Sequence, residues 1–455
     1  MVMREWFLPP AGTETQGSNA KQAGRAYDNS EVVSRSPKRA SERCRTYGTA
    51  MNSNATGRPL PTIILIIGCL MAAFAFGPRS SLGFFLSPIS FERGWSREVI
   101  ALTLAIQMLV WGVVQPIAGA IADRFGVTAV FCIGAILYSA GLCMMAYATT
   151  AAIFYLSGGL VGIGIAGCSF TLVLAAFAKL MPEQWRSFSF GAGTAAASFG
   201  QFLFSPLAVA LISAFQWQMA LLVLSVIVLL LIPMSVALYT SPRAAPSSSI
   251  RQQSMLQAVA EALRHRSFVF LILGYFTCGF QTFFISVHLP AYLLDRGLTA
   301  EIGGWALALI GLFNIVGSVG SGMLGNVMPK RFILSAIYFT RSLLILAYIS
   351  MPPTPTTTLI FGAVMGIVWL STVPPTSSLV AIMFGPRWLA MLFGLAFFSH
   401  QVGGFLGVWL GGLLFERTGS YEVVWGLTIL LGVFSAVINL PIVEKPVDRG
   451  VLAAA

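Results

Sequence analysis

The chain has 455 residues, of which 56% are hydrophobic and only 9% are charged. A soluble domain carries roughly 25% charged residues, so this chain has too few charges to cover a water-exposed surface. Lipid must replace water over much of it. The net charge of +11 would suggest nucleic acid as a partner of a soluble protein, and the positions of the basic residues decide that question below.

Residues 1–59 are polar, carry charges of both signs and show no periodicity, which predicts a disordered N-terminal tail. Twelve apolar stretches follow, each near the roughly 20 residues that a helix needs to cross a bilayer. We number them spans 1 to 12, and they cover residues 61–86, 98–121, 127–147, 152–178, 187–213, 217–239, 267–293, 301–325, 332–350, 357–383, 387–414 and 421–442. The predicted fold is an all-α membrane protein with twelve transmembrane helices.

The widest polar break, residues 240–266, divides the spans into six and six. This pattern predicts an N-terminal bundle at 60–239, a cytoplasmic loop at 240–266, a C-terminal bundle at 267–442 and a cytoplasmic tail at 443–455. The second part of the loop, SMLQAVAEALRHR, predicts a short helix along the membrane surface.

Orientation follows from the loop charges, because basic residues concentrate on the cytoplasmic side. If the N-terminus is cytoplasmic, the inner loops hold Arg124, Lys179, Arg186, Arg243, Arg251, Arg264, Arg266, Lys330, Arg331 and Arg387. The outer loops then hold only Arg93, Arg97, Arg296 and Arg417. We therefore predict that both termini are cytoplasmic, in a bacterial inner membrane, and that the positive charge sets topology rather than binding nucleic acid.

The two sets of six spans share a weak internal repeat. A shift of 203 residues places Gly119 on Gly322, and Phe190-Gly191 on Phe393-Gly394. Two parallel six-helix halves with a binding site between them are a transporter architecture.

The segment GAIADRFG, residues 119–126, resembles the loop 2–3 signature of the major facilitator superfamily. The resemblance covers about residues 60–442 and implies a twelve-helix transporter whose cavity is lined by helices 1, 4, 7 and 10. It also implies that a conformational-switch loop is formed by Gly119, Asp123, Arg124 and Gly126. The second copy, GMLGNVMPKR, departs from the pattern, since Asn326 replaces the acid.

Within that superfamily, SLGFFLSPISFERGWSREVI resembles the monocarboxylate-transporter and oxalate–formate-antiporter branch. The charged residues that these carriers place on helix 8 are absent here. Span 11 offers His400 in place of the cation that the antiporters carry there.

Only Arg79 and Arg341 are basic residues well inside spans, and every Asp and Glu lies in a tail or a loop. A buried unpaired charge is strongly unfavourable, so an anionic substrate is an economical partner for Arg79, whose planar donor fork matches a carboxylate. The alternative is an arginine that snorkels to the interface or donates to backbone carbonyls. Arg341 lies on span 9, which is peripheral in this fold, and we predict a structural role for it.

His288 and His400 are the candidates for proton coupling, because a histidine titrates near neutrality and no membrane acid is available. Structural hydrogen bonds are the alternative for each. The remaining predicted substrate-binding residues are polar or aromatic side chains at helical spacing: Gln107, Trp111, Gln281, Asn314, Trp369 and Gln401. Interhelical hydrogen bonding is the alternative for all of them.

GIGIAG at residues 162–167 spells a nucleotide-binding pattern, but it lies inside an apolar span, so we interpret it as packing. No catalytic set, metal-ligand spacing or phosphate loop is apparent, so we expect no enzyme activity, cofactor or metal. The sequence favours a monomeric secondary transporter of a small organic anion, a mono- or dicarboxylate, working by alternating access with proton coupling or exchange. Two alternatives stay open: an exporter of hydrophobic or neutral compounds, and a transporter-like sensor that binds without translocating.

Overall fold

The computed structural model describes residues 61–239, 255–385 and 389–447, and within these ranges it is all α-helical without strands. The predicted N-terminal tail, most of the cytoplasmic loop and most of the C-terminal tail lie outside the described residues. The helices, in chain order, are Pro61–Ser80, Leu82–Phe85 (3₁₀), Leu86–Arg93, Arg97–Phe125, Val127–Tyr147, Ala151–Cys168, Phe170–Leu180, Glu183–Leu229, Leu231–Ser235, Val236–Leu238 (3₁₀), Met255–Arg264, Arg266–Asp295, Ala300–Leu324, Lys330–Ile349, Pro355–Val368, Val373–Phe384, Leu389–Thr418 and Glu422–Asn439.

Eleven helical stretches among the described residues are long and apolar enough to cross a membrane, and one of them contains two predicted spans. That stretch, Phe188–Leu238, has 51 residues, which at about 1.5 Å per residue is more than twice the thickness of the hydrocarbon core. Its backbone leaves the helical region at Gln216, where φ is 66° and ψ is 166°. Spans 5 and 6 therefore meet at Gln216, and the twelve-helix fold class is confirmed.

The predicted surface segment is also helical, as Met255–Arg264. Span 2 runs further than predicted, to Phe125, and Gly126 ends it with a φ of 94° before the next helix begins at Val127. The predicted loop between spans 2 and 3 is thus a one-residue turn, which glycine permits because it has no Cβ.

Spans 4 and 10 are both interrupted near their middle. Span 4 breaks at Ser169, and span 10 breaks between Val368 and Val373. Since the internal shift of 203 residues carries Ser169 to Thr372, the two breaks occupy equivalent places in the repeat.

Glycines set how closely neighbouring spans pack within each half. A Cβ added at Gly162 of span 4 would lie 2.6 Å from the Gln107 carbonyl oxygen of span 2, and one at Gly366 of span 10 would lie 2.7 Å from the Ile310 carbonyl oxygen of span 8. Gln107 and Ile310 are related by the same shift, so the same helix contact is built twice.

The most extensive contacts between the two sets of spans join span 2 to span 11 and span 5 to span 8, and span 1 also contacts span 7. A Cβ at Gly112 would meet Gln401 across the first contact, and a Cβ at Gly311 would meet the Ser198 carbonyl oxygen across the second, at 2.7 Å. Further along the same four helices, the glycines have space around them. Among the described residues, no atom lies within 4 Å of a Cβ added at Gly119, Gly191, Gly320 or Gly394.

Candidate functional site

A small cavity lies between spans 1, 2 and 7. It is lined by Arg79, Ser80, Leu82, Gly83, Leu104, Gln107, Met108, Phe283, Ser286 and Val287. Its volume is about 10 Å³, close to the smallest space that holds one water molecule. A solute of several heavy atoms requires its walls to separate, and spans 4 and 10 do not contribute to it here.

Arg79 occupies the last turn of helix Pro61–Ser80, just before the 3₁₀ turn that bends span 1. Its Nη2 donates to the thioether of Met108 at 3.1 Å, and its Nε has no hydrogen-bond partner among the described residues. The guanidinium carbon lies 4.3 Å from the ring centre of Phe283 and 4.9 Å from that of Trp111. Arg79 is therefore a buried cation held by rings and a weak sulfur acceptor.

Gln107 lies on the same cavity wall and is fully buried. Neither its Nε2 nor its Oε1 has a hydrogen-bond partner among the described residues. Most buried polar side-chain atoms in folded proteins are hydrogen-bonded. An unpaired guanidinium nitrogen and an unpaired amide around one cavity therefore point to a polar ligand.

Three further predicted residues adjoin this cavity without lining it. The Trp111 indole donates to Gln115 at 2.8 Å, and Gln401 Nε2 donates to the Met108 carbonyl at 3.3 Å. His400 packs against the same Phe283 ring that covers Arg79, at 5.3 Å between ring centres. Its Nδ1 lies 3.2 Å from Gln401 Oε1, and its Nε2 forms no regular hydrogen bond with a described residue.

Arg341 has a different environment, at the break in span 10. Its Nε donates to the Val368 carbonyl at 2.7 Å, its Nη2 to the Trp369 carbonyl and its Nη1 to Gln281 Oε1 at 3.4 Å. The C-terminal end of helix Pro355–Val368 carries partial negative charge and unpaired carbonyls. The guanidinium satisfies them, which supports the structural role predicted for Arg341.

The other predicted substrate contacts lie away from the cavity. Gln281 also donates to the Thr428 carbonyl at 2.9 Å, and the Trp369 side chain is buried. Asn314 Nδ2 donates to Ser198 at 2.9 Å while its Oδ1 accepts the freed N–H of Leu370 at 2.9 Å. The Gln281 and Asn314 side chains have protein partners, so interhelical bonding accounts for these two.

His288 is buried between spans 7 and 11, near one end of the bundle. Its Nε2 lies 2.8 Å from the Val408 carbonyl, so that nitrogen donates, and its Nδ1 is then free to accept from the Tyr421 hydroxyl at 3.3 Å. Both ring nitrogens are engaged, which favours the structural alternative for His288.

The switch loop predicted after span 2 consists of the last two helical turns and one glycine. Gly119 lies within helix Arg97–Phe125, and the Gly126 N–H donates to the Ala122 carbonyl at 3.0 Å. Asp123 and Arg124 are helical, but their side chains lie outside the described part of the structure, so their role stays a prediction.

Sequence reasoning missed an ionic contact at the end of the bundle where His288 lies. Arg97, at the start of span 2, binds Asp295 at the end of span 7, with nitrogen–oxygen distances of 2.5 and 2.6 Å. The Arg97 main-chain N–H donates to Glu416 at 2.6 Å, and its Nη1 to the Tyr421 hydroxyl at 3.2 Å. We call this region the ionic end. These charges were visible in the sequence as loop residues, but nothing in the linear pattern pairs residues about 200 to 320 positions apart.

Of the residues that line the cavity, the sequence predicted only Arg79 and Gln107, and Met108, Phe283 and Ser286 are among those it missed. Met108 and Phe283 lie in apolar helical stretches and are indistinguishable there from packing residues. Only the tertiary structure shows that they enclose the guanidinium.

The fold, the buried polar cavity and the internal repeat together describe a membrane transporter built from two similar halves. The family model of the Major Facilitator Superfamily matches residues 68–408. The chain therefore belongs to the major facilitator superfamily, a family of transporters of small molecules, and is a multi-pass integral membrane protein.

Several curated proteins are similar over most of their length. The uncharacterized MFS-type transporter YcxA of Bacillus subtilis (strain 168) is 27% identical over 81% of this chain and 91% of its own. Monocarboxylate transporter 13 of Bos taurus is 26% identical over 83% of this chain and 89% of its own. Monocarboxylate transporter 11 of Mus musculus is 28% identical over 77% and 81%, respectively.

Solved structures share the fold at low identity. A D-xylose-proton symporter superposes with a TM-score of 0.67 and 14% identity, over 84% of this chain and 98% of that one. A bacterial homolog of the human lysosomal transporter Spinster, in an inward-facing and unoccupied conformation, also gives 0.67 and 14%, over 84% and 97%. These neighbours establish the architecture, not the substrate.

Proposed function

We propose that this protein carries a small organic anion, a mono- or dicarboxylate, across the membrane by alternating access with proton coupling or exchange. The observation that carries the proposal is the pair of unsatisfied groups, Arg79 Nε and the Gln107 amide, around one cavity. A carboxylate accepts hydrogen bonds from a guanidinium and an amide together, and it neutralises the buried charge. The similarity to proteins named monocarboxylate transporters is consistent with this class.

The proton-coupling group we favour is His400, since its ring shares Phe283 with Arg79 and its Nε2 is without a regular hydrogen bond. A change of charge on His400 acts close to the bound anion, whereas His288 is fixed by two hydrogen bonds. We further propose that the protein works as a monomer in a bacterial inner membrane. With both termini cytoplasmic, as the loop charges indicate, the ionic end faces outward.

A second candidate function is export of hydrophobic or neutral compounds. The lining favours it in one respect, because Leu82, Leu104 and Val287 are apolar and aromatic rings cover Arg79. In that case Arg79 is stabilised by the rings alone, since a cation over an aromatic face in a desolvated site gains about 2 kcal/mol.

The experiment is a comparison of the wild type with Arg79→Ala in proteoliposomes, using a panel of mono- and dicarboxylates. A hydrogen bond to a charged group contributes about 1.5–3 kcal/mol, so carboxylate binding should weaken roughly 10- to 100-fold. The matched control is Arg296→Ala on the exposed surface, which should behave as wild type. Normal carboxylate transport by a folded Arg79→Ala protein would refute the proposal, and a wild-type protein that moves none of these carboxylates but transports neutral compounds would favour the exporter.

A further inference from the structure

The hydrogen bonds made by the Arg97 side chain and by its main-chain N–H at the ionic end all cross from one half of the protein to the other. The Arg97 guanidinium donates two parallel hydrogen bonds, one to each oxygen of the Asp295 carboxylate. Such a bidentate ion pair is specific in both charge and direction. The Phe415 ring lies against the guanidinium, with its centre 4.1 Å from the guanidinium carbon.

The helix that carries Arg97 contributes a second attraction. Span 2 begins at this residue, so its main-chain N–H groups point out of the bundle with partial positive charge. Glu416, at the end of span 11, accepts the Arg97 N–H at 2.6 Å. Two carboxylates of the second half are therefore bound by one residue of the first half.

Other residues of the second half hold Tyr421 in position beside Arg97. The Tyr421 hydroxyl accepts from Arg97 and faces Nδ1 of His288, and His288 Nε2 donates to the Val408 carbonyl of span 11. The Tyr421 ring packs on Phe415 with 4.6 Å between centres. His288 is thereby a positioning residue for Tyr421.

The neighbouring charged residues Arg93 and Glu92 at the same end make their contacts within the first half. Arg93 lies over the Trp217 ring, and Glu92 accepts hydrogen bonds from Trp217 and Gln218. All of these contacts stay within the first half. They remain intact when the halves move as rigid bodies, whereas the contacts of Arg97 must all break.

We propose that Arg97, with Asp295, Glu416 and Tyr421, is a latch that holds the ionic end closed and sets the balance between its closed and open states. Alternating access requires the halves to separate at this end. The Arg97 and Asp295 side chains are 16% and 32% exposed, so water reaches the pair and can replace its bonds as the end opens.

The test measures the distance across the ionic end by double electron–electron resonance, in nanodiscs without added solute. Spin labels are placed at Phe91→Cys on the first half and Glu301→Cys on the second, both at exposed positions. Arg97→Gln should raise the ratio of open to closed populations roughly 5- to 30-fold, the range that loss of a contact network of modest strength produces. The charge-swapped pair Arg97→Glu with Asp295→Arg should restore much of the closed population.

The matched control is Arg93→Gln, which removes the same charge from the same end without touching the second half. If Arg97→Gln leaves the distance distribution unchanged, or if Arg93→Gln opens the end equally, the latch is rejected. Should Arg97→Gln fail to fold, Arg97→Lys and Asp295→Asn address the same bonds. Because no solute is added, the result does not depend on the proposed carboxylate.

Discussion

The two arginines inside the membrane look alike in the sequence and differ in their partners. Arg341 donates to two main-chain carbonyls and a side-chain amide, while Arg79 has a thioether and aromatic rings. The sequence predicted that both were buried and that no carboxylate lay nearby. It could not show that a helix break places free carbonyls beside Arg341, whereas among the described residues the hydrogen-bond acceptor of Arg79 is a thioether.

Gln107 provides a prediction at the scale of one residue. Gln107→Leu removes an amide that has no hydrogen-bond partner among the described residues, so thermal stability without added ligand should stay the same or rise. Carboxylate binding should weaken roughly 2- to 15-fold, because a net hydrogen bond contributes about 0.5–1.5 kcal/mol. Thermal-shift titration of the purified protein measures both quantities.

The matched control for Gln107 is Gln201→Leu on span 5. The Gln201 amide is also buried but donates to the Leu307 carbonyl at 3.2 Å, so its loss should lower stability. A Gln107→Leu protein that loses stability without ligand as much as Gln201→Leu, and keeps its carboxylate affinity, would show that Gln107 is a packing residue.

At the scale of elements, the break in span 10 supplies hydrogen-bond partners for Asn314 and Arg341, two of the polar residues that the sequence singled out. Two prolines, Pro374 and Pro375, begin its second helix without N–H groups, and the break leaves backbone groups to be satisfied elsewhere. The Asn314 Oδ1 accepts a hydrogen bond from the Leu370 N–H, and the Arg341 guanidinium donates to the Val368 and Trp369 carbonyls. The sequence predicted substrate contacts for Asn314 and Trp369, and at this break the structure has a hydrogen-bonded joint between helices.

Arg341→Met tests this joint. The substitution keeps an unbranched side chain but leaves the carbonyls of Val368 and Trp369 buried without their donor. Because each buried unsatisfied group costs about 1–3 kcal/mol, the free energy of unfolding should fall by roughly 2–5 kcal/mol, measured by thermal or denaturant unfolding in detergent.

The control for Arg341 is Arg296→Met in the exposed turn after span 7, where little change is expected. In contrast, Arg79→Met should not lower stability without ligand, since it removes a charge that has no acidic partner among the described residues. Equal destabilisation by Arg341→Met and Arg79→Met would contradict the distinction drawn between the two arginines.

At the scale of the whole molecule, the halves touch at the ionic end and at mid-membrane, and their surroundings open towards the other end. Gly412, near the ionic end, would place a Cβ 2.6 Å from that of Ala101 across the interface. A Cβ at Gly119 or Gly394, on the same two helices, would meet no atom of a described residue within 4 Å. This asymmetry is what a transporter closed at one end is expected to show.

Gly311→Leu tests the mid-membrane contact between spans 5 and 8. The added side chain would collide with the Ser198 carbonyl and the main-chain nitrogen of Phe202, so the halves should be forced apart there. Overpacking costs about 1–3 kcal/mol, and a lower unfolding temperature is expected. Gly320→Leu, on the same helix but with no described residue within 4 Å of the added Cβ, should be tolerated, and similar losses from both changes would contradict this view of the interface.

The sequence by itself determined the number of spans, their places in the chain and the class of protein, because hydrocarbon admits only long apolar helices whose backbone bonds are internal. It also showed that the membrane part holds cations without acids. Only the tertiary structure decided which cation is satisfied, since a guanidinium binds whatever acceptors the fold brings within about 3 Å. For the same reason, the spacing of residues along the chain could not predict the contact of Arg97 with Asp295 and Glu416, because these residues come from the ends of different helices.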